Sequence, residues 1–194
     1  MIPRSLIIAV ALLLAVVVAM GAYLRRVQRQ AGAVLPAAAS VLPVPPPASG
    51  PTETIVLYVA DDAMGSLRAR SAKIPLPGGR QQRAEELLRA LLRIYQQPGA
   101  AHPLPPASDI RSIYLIDPGA AVIDVNAAFA DQHRSGILSE QLTINSLLET
   151  LAANVPGIQR VSILVDGKKR DTLAGHADLS DWFDVAEMRQ VSRQ

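Results

Sequence analysis

The side chains able to do chemistry in this sequence are few and scattered. Cysteine is absent, which excludes disulfides, thiolate metal sites, a cysteine nucleophile and a lipid-modified cysteine behind a signal sequence. The three imidazoles, His102, His133 and His176, fall in separate loops. A catalytic triad or metal site built on them requires the fold to gather all three, and the plainer expectation is three surface histidines. Asp178, Asp181 and Asp184 offer the hard oxygens a cation prefers, but capping and solvation account for acids at a helix start. Lys168-Lys169-Arg170 reads as the solvated tip of a turn, the other reading being contact with an anionic polymer or lipid headgroup. Gly78-Gly79 lacks the following Lys and Ser/Thr of a phosphate loop, and no dinucleotide fingerprint, zincin helix or nucleophile elbow occurs. The sequence therefore predicts no catalytic residue, no cofactor or cofactor-binding residue and no metal ligand, in a protein that is not an enzyme.

Charge distribution narrows the partners. The formal net charge is +2, but Arg4, Arg25, Arg26 and Arg29 flank an N-terminal apolar run. The rest of the chain holds 15 basic residues against 17 acidic ones, and so lacks the dense positive charge that a phosphate backbone requires. Nucleic acid is not an expected partner. With 194 residues, 49% of them hydrophobic, the chain has room for one domain with a real core plus segments outside it.

The elements that position these side chains centre on Ile137 to Gly175. Ile144, Leu147, Leu148, Leu151 and Val155 recur at helical spacing, and Pro156-Gly157 stops the helix. Val161, Ile163 and Val165 alternate with Ser162 and Leu164 as a strand requires. Asp166-Gly167 then supplies two positive-φ positions for a type I′ turn, predicting a second strand over Lys168 to Leu173. Upstream, Thr54 to Val59 and Leu67 to Ile74 read as strands, the second polar on one face and closed by Pro75. Ala84, Leu87, Leu88, Leu91, Leu92 and Tyr95 form the apolar face of a helix that runs to about Gln97. Ile110 to Ile116 and Ala120 to Asn126 form a hairpin around Asp117-Pro118-Gly119. After Gly175 a short helix begins near Trp182, with Asp181 as its cap. The predicted fold is α+β, a two-layer α/β sandwich with two helices on one face of a mixed sheet, in the order β-β-α-β-β-α-β-β.

The chain divides into a flank at 1–5, a membrane-spanning anchor at 6–24, a basic flank and Pro/Ala-rich linker at 25–53, a folded domain at 54–180 and a helical tail at 181–194. Leu6 to Leu24 carries no charge and as a helix spans about 28 Å, against a hydrocarbon core of about 30 Å. A cleaved signal peptide ending near Ala19-Met20-Gly21 is the rival to an uncleaved signal anchor. Arg25, Arg26 and Arg29 outnumber Arg4 and the amino terminus, which by the positive-inside rule keeps the domain in the cytoplasm.

Three blocks resemble the GerMN domain of bacterial sporulation and spore-germination proteins. Leu104-Pro105 followed by Ile110 to Phe129, with Ile123-Asp124-Val125-Asn126 inside it, is one. Ser146 to Leu151, Pro156-Gly157-Ile158 and Val161 to Gly167 form the second, and Leu173 to Ser180 the third. Asn126 stands where the family more often has Ser, and the cysteine of lipoprotein members is missing, its place taken by a helix. The resemblance implies a compact α/β module outside the cytoplasm, compared in fold with ring-building modules, with no catalytic residues to transfer. It outweighs the charge count, which rests on short flanks. The expected protein is a single-pass inner-membrane protein whose periplasmic domain is a non-enzymatic interaction or assembly module of the cell envelope. Its partners are then the cytoplasmic membrane through residues 6–24 and envelope proteins or a second copy of itself. The alternative is a domain binding a small ligand or cell-wall glycan in a pocket lined by Tyr58, Tyr114 or Trp182. The structural turns are Asp166, Gly167, Pro118, Gly119, Pro156 and Gly157. The candidate interaction edge is the strand carrying Arg68, Arg70 and Lys73, whose charges equally suit an edge protected against pairing.

Overall fold

The computed structural model describes residues 51–116 and 118–191. The predicted anchor at 6–24, the flank before it and the linker up to residue 50 lie outside the described residues. Among the described residues no helix is long and apolar enough to cross a membrane.

Strands β1 (Thr52–Asp61) and β2 (Ser66–Pro75) form an antiparallel hairpin in unbroken register, from Thr52 opposite Pro75 to Asp61 opposite Ser66. Its turn is set by Asp61, whose Oδ1 accepts from the Ala63 and Met64 N–H groups, and by Gly65 at φ 62°. Helix α1 (Arg80–Tyr95) follows and buries the stripe from Ala84 to Tyr95 that its sequence period demands. Strands β3 (Ile110–Ile116) and β4 (Ala120–Val125) make a second hairpin. Asn126 then caps the short helix α2 (Ala127–Asp131): its Oδ1 accepts from Phe129 N–H at 3.1 Å and from Asp109 N–H at 3.1 Å, while its Nδ2 donates to the Ala107 carbonyl. A serine can cap, but its single hydroxyl lacks the second arm that Asn126 extends to Ala107.

Helix α3 (Ile137–Asn154) carries the chain across so that β5 (Arg160–Val165) lies parallel to β4, with Ile123 opposite Ile163. Strand β6 (Phe183–Asp184) closes this sheet antiparallel to β5, and helix α4 (Val185–Val191) follows. The architecture is the predicted α+β sandwich of long helices and a mixed sheet. Its strands divide between two sheets, β1-β2 and β3-β4-β5-β6. The division has a local cause: the outer edge of β1 is occupied by side chains of α3, which leaves no room there for another strand.

Two local expectations are corrected. Lys168 to Leu173 is not a strand; a bridge from Val165 to Lys168 is followed by a loop, and β6 is the last strand of the order. The last helix is capped by Asp184, not Asp181: Asp184 Oδ1 accepts from Ala186 N–H at 2.8 Å. Phe183 packs on the core, whereas Trp182 is 42% exposed beneath Arg160, whose guanidinium lies 5.7 Å from the ring centre.

Candidate functional site

Helix α3 is buried without interruption from Leu142 to Leu151, and its polar residues are buried with it. Glu140, Thr143, Ser146, Thr150 and Asn154 recur at helical intervals, and each is a tie to another segment. Polar groups removed from water need partners, so each of these residues fixes what lies against it.

Thr143 gathers two of the three histidines. His102 Nε2 lies 2.7 Å from Thr143 Oγ1 and His133 Nε2 2.8 Å from the same atom, while Thr143 donates to the Ser139 carbonyl at 3.0 Å. His102 Nδ1 faces Asp62 Oδ1 at 2.5 Å, and the Tyr95 ring meets His102 edge-on at 5.0 Å. Burial pushes the His133 imidazole below its usual pKa, and its Nδ1 donates to the Arg134 carbonyl at 2.8 Å. Carboxylate, imidazole and hydroxyl stand in the order of a relay that activates a nucleophile, but Thr143 gives its one proton to the Ser139 carbonyl and not to His102. Thr143 is also fully buried and presents no face to a substrate. The network ties the end of β1 and two loops to α3. The expectation of three surface histidines is therefore corrected for His102, 1% exposed, and His133, 7% exposed.

Glu140 holds the third histidine. Its fully buried carboxylate accepts from Ala174, His176 and Ala177 N–H groups at one oxygen and from Gly136 N–H and His176 Nδ1 at the other, all within 2.8–3.1 Å. Burial alone pushes this carboxyl up, but the donors from Ala177, the His176 ring, Gly136 and Ala174 outweigh it and hold the pKa down at about 2. A buried carboxylate with five donors organises the loop that follows Leu173.

The remaining stripe residues close β1. Asn154 Oδ1 accepts from Val56 N–H and its Nδ2 donates to the Val56 carbonyl; Thr150 Oγ1 accepts from Tyr58 N–H. Ala60 N–H donates to the Tyr95 hydroxyl and Ser146 donates to the Tyr58 carbonyl, so the short bond between Tyr95 and Ser146 runs from the phenol to the serine. Burial pushes the Tyr95 phenol up to about 12 and keeps it a donor.

The opposite edge of the hairpin is open. Val56, Tyr58 and Ala60 direct backbone groups to α3 and Tyr95, so their β2 partners Ser71, Ala69 and Leu67 direct theirs away from β1, and alternation adds Lys73. None of these outward groups has a partner among the described residues. Beside this edge, between the hairpin and α1, lies a groove of about 720 Å³. Leu57, Val59, Ala72, Ala90 and Ile94 supply apolar walls, and Arg70, Lys73 and Arg93 supply cations. No carboxylate lines it, and none of the three cations makes an ion pair among the described residues, whereas Arg68 faces Asp61 at 3.4 Å.

The other residues singled out by sequence occupy separate places. Asp166 and Gly167 take φ of 50° and 72°, the two positive values of a type I′ turn. Gly119 takes φ 79° and its carbonyl accepts from Gln159 and Arg160 N–H groups, beside Pro156-Gly157. Pro118 is exposed, and Asp117 lies outside the described residues. Lys169 donates to the Ser180 carbonyl and Arg170 pairs with Asp131. Asp178 accepts from Ser180, and among the described residues no three His, Asp or Glu side chains gather as a metal would require. Tyr114 and Trp182 project from the surface, and neither they nor Tyr58 line the groove. Reading the sequence for apolar period alone missed the polar stripe of α3; the period of its Glu, Thr, Ser and Asn residues was the available signal.

The family described as Germane, sporulation and spore germination, matches residues 56–171. The tandem GerMN domains of the sporulation protein GerM from Bacillus subtilis superpose with a TM-score of 0.52 at 20% identity, over 71% of this chain and 48% of that one. This chain thus spans about half the length of the tandem structure. The first GerMN domain of the same protein gives a TM-score of 0.46 at 18% identity, over 68% of this chain and 97% of that one. A crystal structure from Clostridium perfringens gives 0.49 at 24% identity, over 70% and 89%. No curated protein matches the sequence.

Proposed function

This chain belongs to the Germane family of sporulation and spore germination domains, and from that premise we propose that it is a membrane-anchored interaction module of the bacterial cell envelope. In this reading the domain stands on the extracytoplasmic side of the inner membrane, held by the uncharged run from Leu6 to Leu24, and works by association and not by catalysis. The observation that carries it is the asymmetry of the first hairpin. Side chains of α3 and Tyr95 close β1, whereas β2 keeps its outward backbone groups free beside an apolar groove. Unpaired strand edges are templates for another chain. Tethering to a surface raises effective concentration, so a contact too weak to detect between dilute molecules still forms on the membrane.

The test is a photocrosslinker placed at Arg70 in the full-length, membrane-inserted protein. Crosslinks to an envelope protein or to a second copy are expected. No crosslinked species, together with turnover of a cell-wall substrate by the purified protein, would replace this reading with an enzymatic one. The side of the membrane is tested by protease added to spheroplasts, which is expected to digest the domain while the membrane is intact.

A further inference from the structure

We propose that the groove along β2 receives an extended acidic segment of another protein, which adds to the free edge as a third strand; this rests on the association reading above and names its partner's chemistry. The backbone pattern specifies a peptide. Leu67, Ala69, Ser71 and Lys73 present outward N–H and C=O groups at every second residue, the repeat that a neighbouring strand fills with its own amides. The groove borders that edge, with Arg70, Ser71, Ala72 and Lys73 along one side and Ala90, Arg93 and Ile94 of α1 along the other, and it extends beneath the hairpin to Leu57 and Val59 of β1.

Charge specifies which peptide. Arg70, Lys73 and Arg93 reach the same groove, no carboxylate lines it, and none of the three has an ion-pair partner among the described residues. These cations oppose a second copy at this edge, because β2 set against β2 brings Arg68, Arg70 and Lys73 of one molecule against the same cations of the other. An incoming strand with acidic side chains gains pairs where a copy meets repulsion. Apolar side chains between its acids meet Ala90 and Ile94.

The experiment uses the full-length protein in nanodiscs of zwitterionic lipid and a fluorescein-labelled octapeptide of alternating Val and Glu, read by fluorescence anisotropy. Binding is expected to be at least tenfold tighter than that of the Val and Lys peptide, and the double substitution Arg70→Glu with Arg93→Glu is expected to reverse the preference. Backbone N-methylation of alternate peptide residues blocks a ladder without changing charge, and is expected to weaken binding at least tenfold, as is Ser71→Pro on the protein side. Equal binding of the N-methylated peptide, or equal competition by polyacrylate, would show a polyanion held by charge alone and overturn the strand. No binding of the acidic peptide while Arg70 crosslinks persist in membranes overturns the acidic partner and leaves the association reading standing.

Discussion

Glu140 and His176 meet at 2.9 Å across 36 residues of sequence, the imidazole adding one donor to four backbone N–H groups already aimed at the carboxylate. The folded-state pKa of about 2 lies below the ordinary value of 4.5, so the stability this gives is present above about pH 4.5 and is lost as pH falls toward 2. The difference corresponds to about 3 kcal/mol. Urea unfolding followed from pH 6 to pH 2 is expected to show that loss in the native protein and a flatter profile in Glu140→Gln. The variant is also expected to be weaker at neutral pH, because its amide turns an N–H toward donors.

Thr143→Val keeps the shape of the side chain and removes the only hydroxyl between two imidazoles. Both ring nitrogens are then buried without it, at a cost of about 1–3 kcal/mol. Chemical denaturation measures this, and ring resonances of His102 and His133 in NMR are expected to shift together while those of His176 stay in place.

Asn154→Leu is expected to open the closed side of the hairpin. It strips the side-chain partners from both the N–H and the carbonyl of Val56, costing about 2 kcal/mol. Hydrogen exchange checks it: the Val56 amide should lose protection before those of β4 and β5.

Two glycines with similar φ are expected to differ in tolerance. Gly167 at 72° has nothing within 4 Å of the point where a side-chain methyl would stand, so Gly167→Ala costs backbone strain alone, about 1 kcal/mol and about 3 °C in Tm. At Gly119 a Cβ meets the Gly157 carbonyl at 2.8 Å as well, and Gly119→Ala is expected to lower Tm at least twice as far. Equal losses in thermal melts would contradict the close approach.

Local pattern made most of the fold legible. The apolar stripe of α1, the alternation of β5 and the turns at Gly119 and Gly167 are short-range properties, and sequence shows them directly. The site was hidden for two physical reasons. His102 and His133 owe their burial to Thr143 and its helix, and Asp62 is held against His102, relations between distant segments that no local spacing encodes. Glu140 and Asn154 look like solvated helix residues, because burial of a polar side chain depends on partners supplied from 34 to 98 residues away. Asp181 and Asp184 are equally good caps by type, and only the β5-β6 pairing decides between them.

The bonds by which α3 closes β1 join residues 88 to 98 positions apart. A chain emerging from its N-terminus exposes the β1-β2 hairpin with both edges bare until α3 has followed it. Closing a loop of this length carries an entropic cost of about 4 kcal/mol, which must be met before Asn154, Thr150 and Ser146 reach their strand. Folding is accordingly expected to be slow for the domain's size, which stopped-flow refolding checks, and the bare first hairpin is then the species most exposed to misassociation, so a holdase acting on the nascent chain would find its target between Thr52 and Pro75.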